Sequence, residues 1–209
     1  MVVAASGPSL SRSQAEAVQR SGLPSIAVND AYRLLPFADV LYACDERWWN
    51  HHHGVPDFKG EKWSSHSLDE KNRHNDKRQC SEKYGLMLAA GRDQVGFCFE
   101  PDVIHYGSNS GFQAVNLALQ FGATRIILIG FDMGGTHFFG PHPAGLRNTN
   151  SFTNFIAAFD RAAKKLPDHI TIQNATPGSA LRCFKRIDLD DALSDPAGCF
   201  GADAITAAA

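Results

Sequence analysis

The chain lacks most of the features that would set it apart from an ordinary folded protein. It has no apolar run long enough to span a bilayer, and Met1-Val2-Val3-Ala4-Ala5-Ser6-Gly7 has no positive region of the kind that opens a signal peptide. A cytoplasmic protein that makes no membrane contact is expected. The five cysteines, Cys44, Cys80, Cys98, Cys183 and Cys199, are scattered and form no C-x-x-C pair, so neither a disulfide framework nor a cysteine zinc site is indicated. No sign of charge dominates: 20 Lys+Arg against 22 Asp+Glu leave a formal net charge of -2, which argues against a whole-protein grip on nucleic acid. Internal repeats are missing as well.

What is present fits one sizeable core. At 209 residues, 44% hydrophobic and 20% charged, the composition excludes disorder and coiled coil as the dominant state. Val2 to Ala5 is a short β-branched run broken by Ser6-Gly7-Pro8-Ser9 and followed by a helix-like stretch to about Ser21. Leu23 to Asn29 and Val40 to Ala43 predict two further strands, the second ending at Asp45; Gly85 to Ala90 and Val95 to Phe99 predict two more. Phe112 to Phe121 has helical spacing and leads, past Gly122, into Arg125-Ile126-Ile127-Leu128-Ile129-Gly130. That last run is the pattern of a parallel strand buried on both faces. Phe152 to Leu166 predicts a helix and Ile170 to Ile172 a strand. Between the Val40–Ala43 and Gly85–Ala90 runs, residues 51 to 82 show neither periodicity and are expected to form an irregular insertion or lid, while 194–209 are expected to fray. The whole predicts an α/β fold over 1–193: a single open, mostly parallel Rossmann-like sheet with helices on both faces.

In such sheets ligands sit beyond the carboxyl ends of the strands, so the polar residues at strand exits are the candidates. Ser6-Gly7-Pro8-Ser9 is neither a P-loop nor G-x-G-x-x-G, but its amides and the Ser9 hydroxyl suit an anion; a plain turn with a serine helix cap is the ordinary alternative. Gly107-Ser108-Asn109-Ser110-Gly111 repeats the arrangement before a second helix, and the two turns together favour a nucleotide cleft. Asn29 and Asp45 suit a sugar hydroxyl or an Asx turn equally well. Asp132 follows the buried strand, where a catalytic or ligand-orienting carboxylate is often kept, and no D-x-D accompanies it to hold a metal-diphosphate. His137 and His142 lie in a Gly/Pro-rich loop; imidazole titrates near neutrality and suits general-base work. Arg147 adds a cation for an anionic ligand. Consecutive His51, His52 and His53 point different ways and cannot share one ion, so a solvated loop is expected there, and no metal site is assigned anywhere.

Ser6-Gly7-Pro8-Ser9-Leu10, Asn29, Gly107-Ser108-Asn109-Ser110-Gly111 and Ile129-Gly130-Phe131-Asp132 together resemble the family-42 bacterial sialyltransferases and the related 6-hydroxymethylpterin pyrophosphokinase-like proteins, small phage members included. The resemblance spans roughly residues 2 to 132, with an echo at Asn174 and Ser179-Ala180-Leu181. It implies that Gly7, Pro8 and Ser9 approach a nucleotide, that Asn29 contacts its sugar or phosphate, and that Ser110 and Gly111 contact its base-sugar side. It also implies a late histidine as general base, with His142 closest in position and His137 second. The chain departs from the family where Ala5 replaces its first glycine. Phe138 and Phe139 replace its donor-phosphate tyrosines, which leaves His137 or Arg147 to supply those contacts.

The expected activity is therefore a metal-independent transfer, most simply of a sugar from a CMP-sugar-like donor, with no cofactor beyond that substrate. Two alternatives stand beside it: magnesium-dependent transfer of diphosphate from ATP to a pterin-like alcohol, and a nucleotide-binding module without catalysis. The donor, the acceptor and any homo-oligomer are left open.

Overall fold

A computed structural model of the chain describes residues 1–68, 78–146 and 151–194. Nine strands form one sheet: β1 (Val2–Ala4), β2 (Ser25–Val28), β3 (Val40–Tyr42), β4 (Glu61–Ser67), β5 (Met87–Arg92), β6 (Val103–His105), β7 (Arg125–Ile129), β8 (Thr171–Asn174) and β9 (Lys185–Arg186). They lie in the order β6-β5-β4-β3-β2-β1-β7-β8-β9, and every pairing is parallel. The open α/β sheet expected from the sequence is thus present, and it is wholly parallel among the described residues.

Parallel strands need cover on both faces, because crossovers return over the sheet. Successive side chains point to opposite faces, so each strand feeds two cores. Val3, Ile26, Val28, Tyr42, Ile126 and Leu128 pack with Phe112, Val115 and Ala118 of α4 (Ser110–Gln120) and Phe159 and Ala162 of α5 (Phe152–Ala163). Val2, Ala4, Ala27, Leu41, Ile127 and Ile129 pack instead with Ala15 and Val18 of α1 (Arg12–Ser21), Trp48 and Trp49 of α2 (Glu46–His51), Cys80 of α3 (Arg78–Tyr84) and Ala192 of α6 (Leu189–Leu193). Burying each of the larger side chains stabilises by about 1.5–3 kcal/mol. No helix among the described residues is long and apolar enough to cross a membrane.

Two expectations are corrected. Within the segment expected to be irregular, residues 61–67 form β4, paired with both β3 and β5, and 78–84 form α3; residues 69–77 lie outside the described ones. The buried positions of β4 are Ser64 and Ser65, whose hydroxyls donate to Ala43 O at 2.8 Å and Gln113 Oε1 at 3.1 Å, so the buried centre of the strand is polar. Conversely, Val95 to Phe99 is no strand. Phe97 stacks on Phe112 at 4.6 Å, and the loop is held by Asn116, whose Oδ1 accepts from Cys98 N at 2.8 Å and from His105 N at 2.9 Å.

The topology fixes where a ligand can sit. From central β1 the chain runs outward through β2 to β6, then returns to the other side of β1 as β7. The loops leaving β1 and β7 therefore diverge, and a crevice opens at this switch point beyond the strand ends.

Candidate functional site

A cavity of about 670 Å³ occupies that crevice, within the range of small-molecule sites. The exits of β1 (Ala5, Ser6, Gly7), β2 (Val28, Asn29), β3 (Cys44, Asp45) and β7 (Gly130 to Thr136) all line it. So do residues 108–111, the turn into α4 with that helix's first two residues, which are remote from the β1 turn in sequence but share the same space.

Each predicted residue has a definite place. Gly7, Asn29, Asp45, Ser108, Asn109, Ser110, Gly111, Asp132, His137 and His142 all border the cavity, whereas Pro8 and Ser9 are not among its lining residues and Arg147 lies outside the described residues. The helix after the first turn begins later than the serine-cap alternative supposed. Ser11, not Ser9, is the N-cap of α1, and a reciprocal capping box with Gln14 closes that helix end. Ser9 turns instead to Asp132: its amide donates to Oδ1 at 3.2 Å and its hydroxyl to Oδ2 at 2.9 Å. The serine expected to hold phosphate thus braces the carboxylate expected to be catalytic. Burial raises the Asp132 carboxyl above its usual range, and the two Ser9 bonds oppose that rise.

The second turn keeps an open end toward the cavity. Asn109 spends its side chain on capping, with Oδ1 accepting from Phe112 N at 2.8 Å and Nδ2 donating to Gly107 O at 3.0 Å. The Ser110 hydroxyl is tied to the β3 exit, accepting from Cys44 N and donating to Cys44 Sγ. That leaves the Ser110 and Gly111 amides, which have no acceptor among the described residues, at the positive end of an 11-residue helix. An anion at this point needs no cationic side chain. Indeed no Lys or Arg lines the cavity among the described residues.

Backbone strain gathers at the same place. Asn29, Ser108 and Met133 border the cavity with φ of 51°, 65° and 56°. Left-handed backbone is uncommon in non-glycine residues and is found where the surroundings enforce it.

His137 and His142 face one another with ring centroids 4.2 Å apart, and Phe139 stacks parallel on His137 at 5.0 Å. Burial lowers both imidazoles below the ordinary histidine value; the neighbouring His137 lowers His142 further, while Asp30 opposes the shift in each. Both are therefore neutral at neutral pH, the form in which an imidazole accepts a proton. His52, the residue that caps the end of α2 and lies near Asp30, is lowered by burial too. Among the described residues no group of histidines, cysteines and carboxylates could hold a metal ion.

These shifts have a stability consequence. A base whose folded pKa lies below its unfolded one resists protonation only in the native state, so the unfolded chain binds the extra protons as pH falls. Stability is expected to be full above about pH 6.5 and to decline below it as His52, His137 and His142 are forced to charge. Urea midpoints measured across that range would show the decline, and His137→Gln with His142→Gln should flatten it. A midpoint that rises on acidification through this window would contradict the assignment.

Several lining residues had no counterpart among the candidates. Ser6 is buried beside His137; Cys44 and Trp48 line the β3 side; and Ser151, Phe152, Asn154 and Phe155 bring the start of α5 to the cavity. Ser6 was detectable as the first polar residue of the turn that leaves β1. The α5 start was signalled only by Ser151 before an apolar helical run.

Comparison with known proteins adds no relative: no protein-family model, curated protein or solved structure matches the chain.

Proposed function

We propose that the chain is a nucleotide-dependent transferase of the family-42 type, moving a sugar from a CMP-sugar-like donor to a hydroxyl without a metal. The observation that carries this reading is the sharing of one switch-point cavity by an open helix N-terminus and two neutral histidines. The α4 amides would hold the donor phosphate and stabilise it as it departs. A histidine would take the acceptor proton, a step worth about 10²–10⁴-fold. Asn29 and Asp45, at the ends of β2 and β3, border the space where the donor's sugar would lie. Lacking a lining cation among the described residues, the site suits a single phosphate better than a diphosphate, which normally recruits metal or arginine.

A thermal-shift screen of CMP, UDP, GDP, ADP, ATP and the corresponding nucleotide sugars, each with and without magnesium, tests it. Metal-independent stabilisation by CMP or its sugars is expected, of about 2.7 kcal/mol at a hundredfold excess over Kd. Stabilisation by ATP only with magnesium would replace this reading with diphosphate transfer. Binding without turnover of any donor would reduce it to a nucleotide-binding module.

A further inference from the structure

Helix α5 carries its apolar stripe further than the sheet needs. Phe152, Phe155, Phe159 and Ala162 recur at the spacing that keeps side chains on one face of a helix. Phe159 and Ala162 are buried in the core on the sheet. Phe155 and Phe152 lie about 6 Å and about 10 Å before Phe159 along the helix axis. Both are only partly buried, both line the cavity, and among the described residues neither packs into either core. The first turn of α5 therefore overhangs the strand ends and walls the crevice with two phenyl rings.

That wall adjoins the open end of α4. Phe112, the residue after Gly111, meets Phe159 with ring centroids 5.0 Å apart, and Phe131 at the β7 exit meets Phe159 at 6.0 Å. The first turn of α4, with its open Ser110 and Gly111 amides, is thus pinned against α5 one turn along from Phe155. A phosphate on those amides is flanked by Asn29 and Asp45 at the β2 and β3 exits and by the phenyl pair beyond β7.

The two flanks differ in chemistry. Asn29 and Asp45 offer hydrogen bonds, which suit hydroxyls, whereas a phenyl ring offers an apolar face and edge. The centroids of Phe152 and Phe155 are 6.2 Å apart and their planes stand at 89°, so a flat group laid on the face of one ring meets the edge of the other. Both are favoured aromatic geometries. In a nucleotide sugar only the base is flat and aromatic, and a single pentose separates it from the phosphate.

We infer that Phe152 and Phe155 form the platform for the donor's nucleobase, which leaves the transferred sugar to the Asn29 and Asp45 side. The inference rests on the nucleotide of the transferase reading and not on its chemistry.

Isothermal titration of the full-length protein with CMP, UMP, AMP, GMP and ribose 5-phosphate tests it. At least one nucleotide is expected to bind more tightly than ribose 5-phosphate, which has the same phosphate and pentose without a base. Phe152→Ala combined with Phe155→Ala should weaken that nucleotide about 5–150-fold, the worth of one stacked base, and leave ribose 5-phosphate unchanged. If melting shows the double alanine variant to be unfolded, Phe152→Leu with Phe155→Leu keeps apolar bulk on the helix and is titrated in its place. Nuclear Overhauser contacts between base protons and phenyl protons are expected in the parent and should vanish in the leucine variant. Ribose 5-phosphate binding the parent as tightly as every nucleotide would overturn the platform. So would an unchanged nucleotide affinity in the variants, or an equal loss for both ligands, since the rings would then only shape the phosphate site. A nucleotide held through the rings but never turned over removes the transfer chemistry and leaves the platform standing; if no nucleotide binds, both fall.

Discussion

Gly7→Ala is expected to abolish nucleotide-induced stabilisation and to lower the unfolding free energy by about 1–3 kcal/mol, a melting shift of roughly 2–10 °C for a chain of this size. A Cβ at this position would overlap the Asp132 carboxylate and the carbonyl of Gly130. Neither neighbour has room to retreat. Gly130 has φ of 69° and is tied to the β1 exit by the bond from Gly7 N to its carbonyl, while Asp132 can move only by releasing the Ser9 amide and hydroxyl. The methyl group would therefore push apart the two strand exits that define the crevice. Gly134→Ala is the matched control, because it borders the same cavity with open space around its Cα. Thermal melts of both variants, with and without the nucleotide that stabilises the parent, separate the cases. If Gly7→Ala melts and binds as the parent does, the brace between the β1 and β7 exits is not what shapes the site.

The sequence carries this crevice more clearly than it carries the sheet around it. Ile126 to Ile129 is apolar throughout because both its faces are covered, and hydropathy alone exposes such a strand. The β1 and α4 turns are legible because small residues and helix caps are local requirements. β4 was hidden because its buried positions are serines satisfied by a distant carbonyl and by Gln113, partners no local window contains. Val95 to Phe99 misled in the opposite sense: Phe97 and Cys98 are apolar because they pack beneath α4, not because the backbone is laddered. At the site, the engagement of Asp132 by Ser9 joins residues 123 positions apart, and the Ser6–His137 pair joins residues 131 apart. Residue type could nominate these groups, but only the fold reveals which are free for a ligand and which are already bound to each other.

The β7 exit is also braced from its other side, and that brace depends on one fully buried amide. Asn174, at the end of β8, donates from Nδ2 to Ser179 Oγ and Leu181 O and accepts at Oδ1 from Thr176 N, each at 3.0 Å. The loop it shapes then grips the exit: Thr176 Oγ1 accepts from Phe131 N at 2.9 Å, Ser179 Oγ donates to Phe131 O at 2.6 Å, and Ala180 N donates to Asp132 O at 2.9 Å. Asn174→Ala removes three buried bonds at once; Ser179 Oγ keeps Phe131 O and Leu181 N, but Leu181 O and Thr176 N lose the amide, each worth about 1–3 kcal/mol when left unsatisfied. A loss of roughly 3–5 kcal/mol in urea denaturation is expected, at the severe end for a single substitution. Thr176→Val removes only the bond to Phe131 N and should cost about 1–2 kcal/mol. If Asp132 and Ser9 hold the crevice by themselves, both variants will keep the parent's nucleotide affinity once allowance is made for the unfolded fraction. If the β8 loop sets the position of Asp132, Thr176→Val will weaken binding while most of the protein remains folded, and isothermal titration at a temperature well below its melting point decides between the two.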